Sequence, residues 1–490
     1  MTTMRYKHVF PVVAVSLLSF LAGCGGSSNN PTPQGNFSNA NLSGTYAMSF
    51  SGSGANGFFA VAGMITADGA GNITGGQMDI NDAGLPAPVN TTVTGTYNLH
   101  ADGRGVAGLV TSAGNFSLVF VMVGGNSRAL VTRFEQSATG SGSLDLVNSS
   151  AFSTAALAGT FVFNLSGVDS AANLEATVGS ITTDSTGAVT AGVQDLSDDG
   201  NILQAQAISA GTIQVASNGR GTASITTTTG TLAFAFYVVD ANHIKLVETD
   251  ALPALAGDAF RQSGTISNAS LSGPFAFTVA GTDVPNGLAP LVAGGILTAD
   301  GAGNITSGTE DFNDAAFQPE IGTAFTGTYA LDASGRGTAT FNNATLGTVT
   351  LALYPTTSGV QVLETDTAGL VVTGAAFPQA AALSTGTVQG AYGLNYTAGT
   401  ASGEMDAVAS LNADGTGHMT GIMDVNSAGS TGPGESLTGS YSLDATGRGT
   451  LTFQSFIGQQ NMMIYALSNS RALFVELDSD IVAAGAIEHQ

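Results

Sequence analysis

The sequence predicts an all-β protein made of four tandem antiparallel meander modules, most simply small eight-stranded up-and-down barrels. A unit of roughly 115 residues recurs four times along the chain. Within each unit, alternating or apolar segments of strand length are separated by Asp-Gly, Asn-Gly and Gly-Asn turns, which suit tight hairpins. No segment sustains the 3.6-residue apolar period of an amphipathic helix. Closing each meander into a barrel would remove exposed sheet edges.

The repeat is defined by charged residues at fixed positions. A Gly-Arg-Gly motif occurs in every unit, and successive arginines of this motif are 116, 116 and 112 residues apart. An aspartate in an earlier turn recurs at spacings of 116, 116 and 114 residues; these are Asp68, Asp184, Asp300 and Asp414. The agreement divides the chain into four β units, residues 42–150, 151–263, 264–382 and 383–490.

Turns divide the first unit into eight candidate strands. They lie at 44–51, 58–67, 72–81, 91–101, 105–112, 115–123, 127–135 and 141–147. In strand count and turn spacing the unit resembles avidin- and lipocalin-type barrels, a likeness of outline that rests on no diagnostic motif. An immunoglobulin-like sandwich is the alternative fold. It would require crossing connections, whereas the connections here are mainly short.

The amino terminus has the layout of an export signal. Arg5 and Lys7 precede an apolar stretch at 9–21, which is shorter than the roughly 20 residues that span a bilayer. The stretch ends in Leu21-Ala22-Gly23-Cys24, which resembles the lipobox of bacterial lipoproteins at all four positions.

The lipobox resemblance implies how the chain is anchored. Residues 1–23 would be a signal peptide, and Cys24 would carry a diacylglycerol on sulfur and an acyl chain such as palmitate on its new amino group. The expected location is the cell envelope, and Gly25 in place of an aspartate favours the outer membrane. Residues 24–41 contain almost nothing apolar and are expected to form a flexible tether. Cys24 is the sole cysteine, so no internal disulfide can form.

The charge balance excludes one class of partner. The chain has 35 acidic and 11 basic residues, a net charge of −24. Neutralising phosphates requires clustered Lys and Arg, so nucleic acid is not expected as a partner. The expected contacts are the membrane, through the N-terminal lipid, and an unidentified protein or glycan.

Three charged positions recur in all four units and are candidate structural ion pairs. The guanidinium of the Gly-Arg-Gly motif can hold a carboxylate through two parallel hydrogen bonds. We expect it to pair with an acidic residue at one rim of the barrel or inside it; a ligand carboxylate or a sugar on the same arginine is the alternative. The twelve residues are Arg104, Arg220, Arg336 and Arg448, Asp79, Asp195, Asp311 and Asp424, and Glu135, Glu248, Glu364 and Glu476.

Catalytic and metal-binding patterns find little support. The sequence has no G-x-S-x-G or HExxH motif, and its histidines occupy unrelated positions in the repeat. The acidic turns that begin at Asp79, Asp195 and Asp311 gather oxygen donors, as calcium requires, but they fail the EF-hand pattern. We therefore expect no catalytic residue, metal or cofactor, and no enzyme.

The leading functional hypothesis is a non-enzymatic envelope or surface lipoprotein that acts in interaction, adhesion or as a spacer. The rival is a binder of small hydrophobic ligands or carbohydrates that uses barrel interiors or mouths, and a carbohydrate-active enzyme is a third class. Large inward residues such as Phe116, Leu118 and Phe120 would fill so small a barrel. A void of several hundred Å³ would favour the ligand binder.

Overall fold

The computed structural model describes residues 35–228, 230–262, 264–343 and 347–490, and these form β-strands joined by short turns. Copy 1 contains β1 (Ser43–Gly54), β2 (Gly57–Asp68), β3 (Asn72–Asp82), β4 (Val89–Leu99), β5 (Arg104–Thr111), β6 (Gly114–Val123), β7 (Arg128–Glu135) and β8 (Ala138–Leu146). Copy 2 contains β9 (Gly159–Val168), β10 (Leu174–Thr183), β11 (Val189–Asp198), β12 (Asn201–Ala207), β13 (Ala210–Val215), β14 (Arg220–Thr226), β15 (Thr231–Asp240), β16 (His243–Glu248) and β17 (Ala254–Gln262).

The second half of the chain repeats this pattern. Copy 3 contains β18 (Ser272–Asp283), β19 (Ala289–Asp300), β20 (Asn304–Asp314), β21 (Glu320–Leu331), β22 (Gly337–Asn343), β23 (Gly347–Pro355), β24 (Val360–Glu364) and β25 (Leu370–Pro378). Copy 4 contains β26 (Gln389–Thr400), β27 (Gly403–Asp414), β28 (His418–Ser427), β29 (Ser430–Leu443), β30 (Arg448–Ser455), β31 (Gly458–Ala466), β32 (Arg471–Glu476) and β33 (Ile481–His489). Short 3₁₀ helices lie at Asn39–Asn41, Gly124–Asn126, Ser149–Ala151, Thr154–Leu157, Asn268–Ser270 and Thr385–Thr387.

Copies 1, 3 and 4 are closed eight-stranded barrels. Their antiparallel strands pair in chain order, and the last strand of each copy pairs back onto the first. The all-β meander prediction is therefore confirmed, and the eight strands of copy 1 overlap those predicted from its turns. Turn chemistry explains this, because glycines such as Gly57 and Gly103 adopt the positive φ that tight hairpins require.

Copy 2 departs from the predicted closed barrel. Its nine strands form one sheet whose two ends are β12 and β13, consecutive pieces of what is a single fourth strand in the other copies. The break follows Ala205, a non-glycine residue with a φ of 50°. Near the break the two ends of the sheet approach through a single bridge between Ala188 and Thr212 and a hydrogen bond from Ile208 N to Gly192 O (3.0 Å).

One end of each barrel is closed by the 3₁₀ segment that precedes its first strand. In copy 1, Leu99 N donates to Asn39 Oδ1 (2.7 Å), and the Tyr97 hydroxyl donates to Leu42 O (2.7 Å). Phe37 N also bonds to Ala101 O (3.3 Å). The end of the expected 24–41 tether is thus packed on the first barrel, because its amide and carbonyl groups complete the hydrogen bonding of the barrel end.

The export signal and Cys24 lie outside the described residues. Residues 35–228, 230–262, 264–343 and 347–490 include no helix that is both long enough and apolar enough to cross a bilayer.

The four copies pack as a closed ring. Copy 1 contacts copy 2 through a cluster that includes Ala62 and Tyr237, and the later neighbours pack similarly. The ring closes where Val121 of copy 1 meets Val408 of copy 4. Each interface joins a face of one copy to a different face of the next. Such heterologous contacts form a ring when the rotations from each copy to the next add up to a full turn, here after four copies.

Candidate functional site

The recurring arginine and aspartate meet at the interfaces between copies. Arg336 of copy 3 donates from Nε and Nη2 to the two carboxylate oxygens of Asp195 in copy 2, at 2.7 and 2.6 Å. The Tyr354 hydroxyl donates to the same carboxylate at 2.6 Å. Asp195 is completely buried, and the Arg336 side chain is 12% exposed. The group is therefore a hydrogen-bonded polar clamp at an otherwise apolar interface.

The same clamp recurs around the ring. Arg220 holds Asp79 at 2.7 and 2.8 Å with Tyr237 at 2.6 Å, and Arg448 holds Asp311 together with Tyr465. The ring-closing clamp is weaker, because Arg104 reaches Asp424 through one bond (2.8 Å) and Val121 stands where the others have tyrosine.

The sequence predicts these pairs at the rim or in the interior of a single barrel. The structure instead places them between barrels. The reason is that each arginine finds its partner in the preceding copy, which the spacing within a unit cannot reveal. An isolated third copy would lack Asp195, so substitutions at Arg336 must be tested in the whole chain.

The oxygen-rich turns considered as calcium sites form hydrogen bonds to neighbouring copies of the repeat. Asn313 Nδ2 donates to the backbone oxygens of Glu476 (2.9 Å) and Asp478 (3.0 Å) in copy 4. Asn81 and Asn426 make equivalent bonds into copies 2 and 1. Across the described ranges, no group of three or more His, Cys, Asp or Glu residues could hold a metal ion.

The recurring glutamates are not partners of the Gly-Arg-Gly arginines. Glu248, Glu364 and Glu476 share one register position, opposite Phe234, Leu351 and Met462. In copy 1 that position, opposite Leu118, belongs to Arg133, and Glu135 lies two residues further on. The predicted equivalence of Glu135 with the other three glutamates is therefore wrong.

Burial controls the protonation of these interior glutamates. Burial, reinforced by Glu175 and Asp250, raises the pKa of Glu248 to about 9. Burial together with Asp478 raises the pKa of Glu476 to about 10. The pKa of Glu364 is likewise raised well above its ordinary value by burial and by Asp366. At neutral pH Glu248 and Glu476 are therefore largely protonated, neutral groups.

Three of the four interiors are filled or nearly filled. In copy 1, Phe50 packs edge-to-face against Phe59 and Phe116, with centroids 6.1 and 5.9 Å apart. The copy 4 interior is filled by methionines, leucines and aromatic rings, including the packed pair Tyr396 and Phe474. The copy 2 interior retains a cavity of only about 30 Å³.

The barrel of copy 3 is hollow. It encloses an apolar cavity of about 310 Å³ that runs from Leu271 and Tyr329 at the closed end to Phe317 at the opposite end. The strand registers show that the rings are placed differently: Val279, Leu291 and Val349 occupy the positions of Phe50, Phe59 and Phe116 in copy 1. Copy 3 instead has phenylalanines at 277, 325 and 341, where copy 1 has Met48, Val93 and Leu109, and these rings line the cavity without filling it.

Carboxyl groups gather at the end of the cavity opposite the 3₁₀ segment. All five line the cavity: Asp283, Glu310, Asp314, Glu364 and Asp366. The first four are buried, and burial with Asp283 nearby raises the pKa of Asp314. Of these five, the sequence predicts Glu364 as a candidate ion-pair residue and includes Asp314 only in an oxygen-rich turn. Aligning the copies position by position also reveals glutamate at 310, where copy 1 has Met78.

A second cavity, of about 520 Å³ and more polar than that of copy 3, lies where the four copies meet at the centre of the ring. Its lining includes Arg128 and Arg471, which flank the Glu488 carboxylate at 3.4 and 3.6 Å. Nearby, the buried Lys245 ammonium lies 2.9 Å from Asp145, which provides a second buried ion pair between copies. The charges at the ring centre are thus mutually paired.

No family model matches the chain, and no curated protein matches it. A solved structure of the vaccine antigen transferrin binding protein B from Haemophilus parasuis, a double mutant, is 9% identical; the match covers 74% of this chain and 83% of that one, with a TM-score of 0.19. A mutant of the NanB sialidase from Streptococcus pneumoniae is 10% identical over 91% of this chain and 95% of its own, with a TM-score of 0.12. At such low TM-scores neither carries an argument about function.

Proposed function

We propose that this chain is a lipid-anchored, non-enzymatic binding protein of the cell envelope that holds a small apolar ligand in its third barrel. The observation that carries the proposal is the apolar cavity of about 310 Å³ in copy 3, against about 30 Å³ in copy 2. Ligand pockets of small molecules have volumes of this order and predominantly apolar linings.

The ring supports binding over a role as a spacer. Four copies closed by buried clamps form a compact body, whereas a spacer gains length from modules that contact only their sequence neighbours. Copies 1, 2 and 4 would then serve as the rigid support of the hollow barrel. Protein or glycan contacts on the outside of the ring are compatible with this role.

Binding is tested with a neutral fluorescent probe, N-phenylnaphthylamine, and the chain from Gly25 onward, which retains every described residue. We expect saturable binding with one probe per chain, because one barrel has the large apolar cavity. A stoichiometry of four would indicate that all copies bind alike, and absence of saturable binding would refute the proposal.

The anchor is tested by the substitution Cys24→Ser in the full-length chain. We expect the parent protein in the membrane fraction and the variant in the soluble fraction, because the acyl chains require the cysteine thiol. Protease added to intact cells then reports orientation, since surface-facing repeats would be shed. Equal membrane association of the two proteins would refute lipidation at Cys24.

A further inference from the structure

Copy 1 already holds a cation at the end of the barrel where copy 3 gathers its carboxyl groups. Arg133 points into the interior of copy 1, with its Cζ 4.4 Å from the ring centre of Phe59 and 4.9 Å from that of Phe116. Its Nη2 lies 2.9 Å from Glu135 Oε2, and the side chain is 11% exposed. This end of the barrel can therefore accommodate a buried guanidinium on an acidic partner.

The strand registers identify the matching residues of copy 3. Glu364 faces Leu351 as Arg133 faces Leu118, so a carboxyl group stands where copy 1 supplies its cation. The partner position is kept: Glu135 accepts a hydrogen bond from Ser117 N (2.8 Å), and Asp366 accepts one from Thr350 N (3.3 Å) at the corresponding place. Copy 3 thus has the acidic partner without the internal cation.

Nothing in copy 3 replaces that cation. Residues 264–382 contain one basic residue, Arg336, and it is committed to the clamp with Asp195. Glu310 and Asp283 add carboxyl groups where copy 1 has Met78 and Gly54. An apolar cavity with carboxyl groups at one end is complementary to a molecule that has an apolar body and a positively charged head.

We propose that the copy 3 cavity binds a cationic amphiphile, whose apolar body fills the barrel and whose ammonium or guanidinium group lies on Glu364 and Asp366. This proposal rests on the proposed function above and names its ligand class. The head group would take the place that Arg133 occupies in copy 1. The cavity walls supply the affinity for the body. A cationic head favours the ionised form of the carboxyl groups that it contacts, and the resulting carboxylates supply the selection of charge.

The test compares three probes that share one alkyl chain: dodecylammonium, dodecanol and dodecanoate. Each is titrated calorimetrically, below its aggregation concentration, into the chain from Gly25 onward. We expect dodecylammonium to bind at least about tenfold more tightly than dodecanol, as one well-placed charge-assisted bond provides, and dodecanoate to bind most weakly. Equal affinities for the amine and the alcohol would overturn this inference and leave the proposed function standing. Failure of all three to bind would overturn both.

Variants locate the selectivity. The double variant Glu364→Gln/Asp366→Asn is expected to reduce the affinity for dodecylammonium to that for dodecanol, while dodecanol binding stays unchanged. The matched control is Glu476→Gln/Asp478→Asn, the same positions in the filled barrel of copy 4, and it should alter neither affinity. The single change Glu310→Gln provides a second test if the double variant unfolds. Unchanged amine selectivity in a folded variant would refute the assignment.

Discussion

Replacing Arg336 by alanine in the whole chain is expected to lower the free energy of unfolding by about 3–5 kcal/mol, the cost of leaving a buried charge without its partner. The Asp195 side chain has no exposure to solvent. Both of its carboxylate oxygens accept hydrogen bonds from this arginine, which is its ion-pair partner. The remaining hydrogen bonds, from the Tyr354 hydroxyl and from Ala205 N, come from neutral groups and cannot neutralise the carboxylate. Chemical denaturation of the parent and of the variant measures the difference.

Two further variants give this experiment its controls. Arg104→Ala breaks the ring-closing clamp, and we expect a smaller loss, because Arg104 makes a single bond to Asp424 and that interface has no tyrosine. The double variant Asp195→Ala/Arg336→Ala removes both charges and should recover part of the stability lost in Arg336→Ala. An Arg336→Ala protein with the stability of the parent would show that the clamp does not hold copies 2 and 3 together.

Filling the third barrel is expected to abolish ligand binding while stabilising the protein. The double variant Leu291→Phe/Val349→Phe restores the two rings that copy 1 has at Phe59 and Phe116. We expect the affinity for the neutral probe to fall by at least about a hundredfold, and stability to rise by about 0.5–2 kcal/mol for each cavity-filling change. Fluorescence titration and denaturant unfolding measure the two effects.

The control places the same added ring outside the barrel. Val106 is 48% exposed, so Val106→Phe should leave both binding and stability close to those of the parent. The reverse change in copy 1, Phe116→Val, should destabilise the chain by opening a cavity. Probe binding that survives the filling of copy 3 would place the ligand elsewhere, for instance in the polar cavity at the ring centre.

Aligning the copies by sequence alone misplaces some residues of the barrel interior by two positions. Side chains in a strand alternate with a period of two, so an alignment shifted by two residues keeps every side chain on the same face. Glu135 was matched with Glu248, Glu364 and Glu476 for this reason, although Arg133 is their structural counterpart. The pairing of strands resolves the shift and reveals the cation that copy 3 lacks.

Local chemistry in the sequence was sufficient to predict the repeats, the all-β class and the position of the strands in copy 1, because turns and alternation act over a few residues. The tertiary structure decided what depends on contacts between distant segments. Arg336 and Asp195 are 141 residues apart, so their pairing exists only once copies 2 and 3 have packed together. The same holds for the hollow third barrel: a cavity is the volume left among eight strands, and no single strand specifies it.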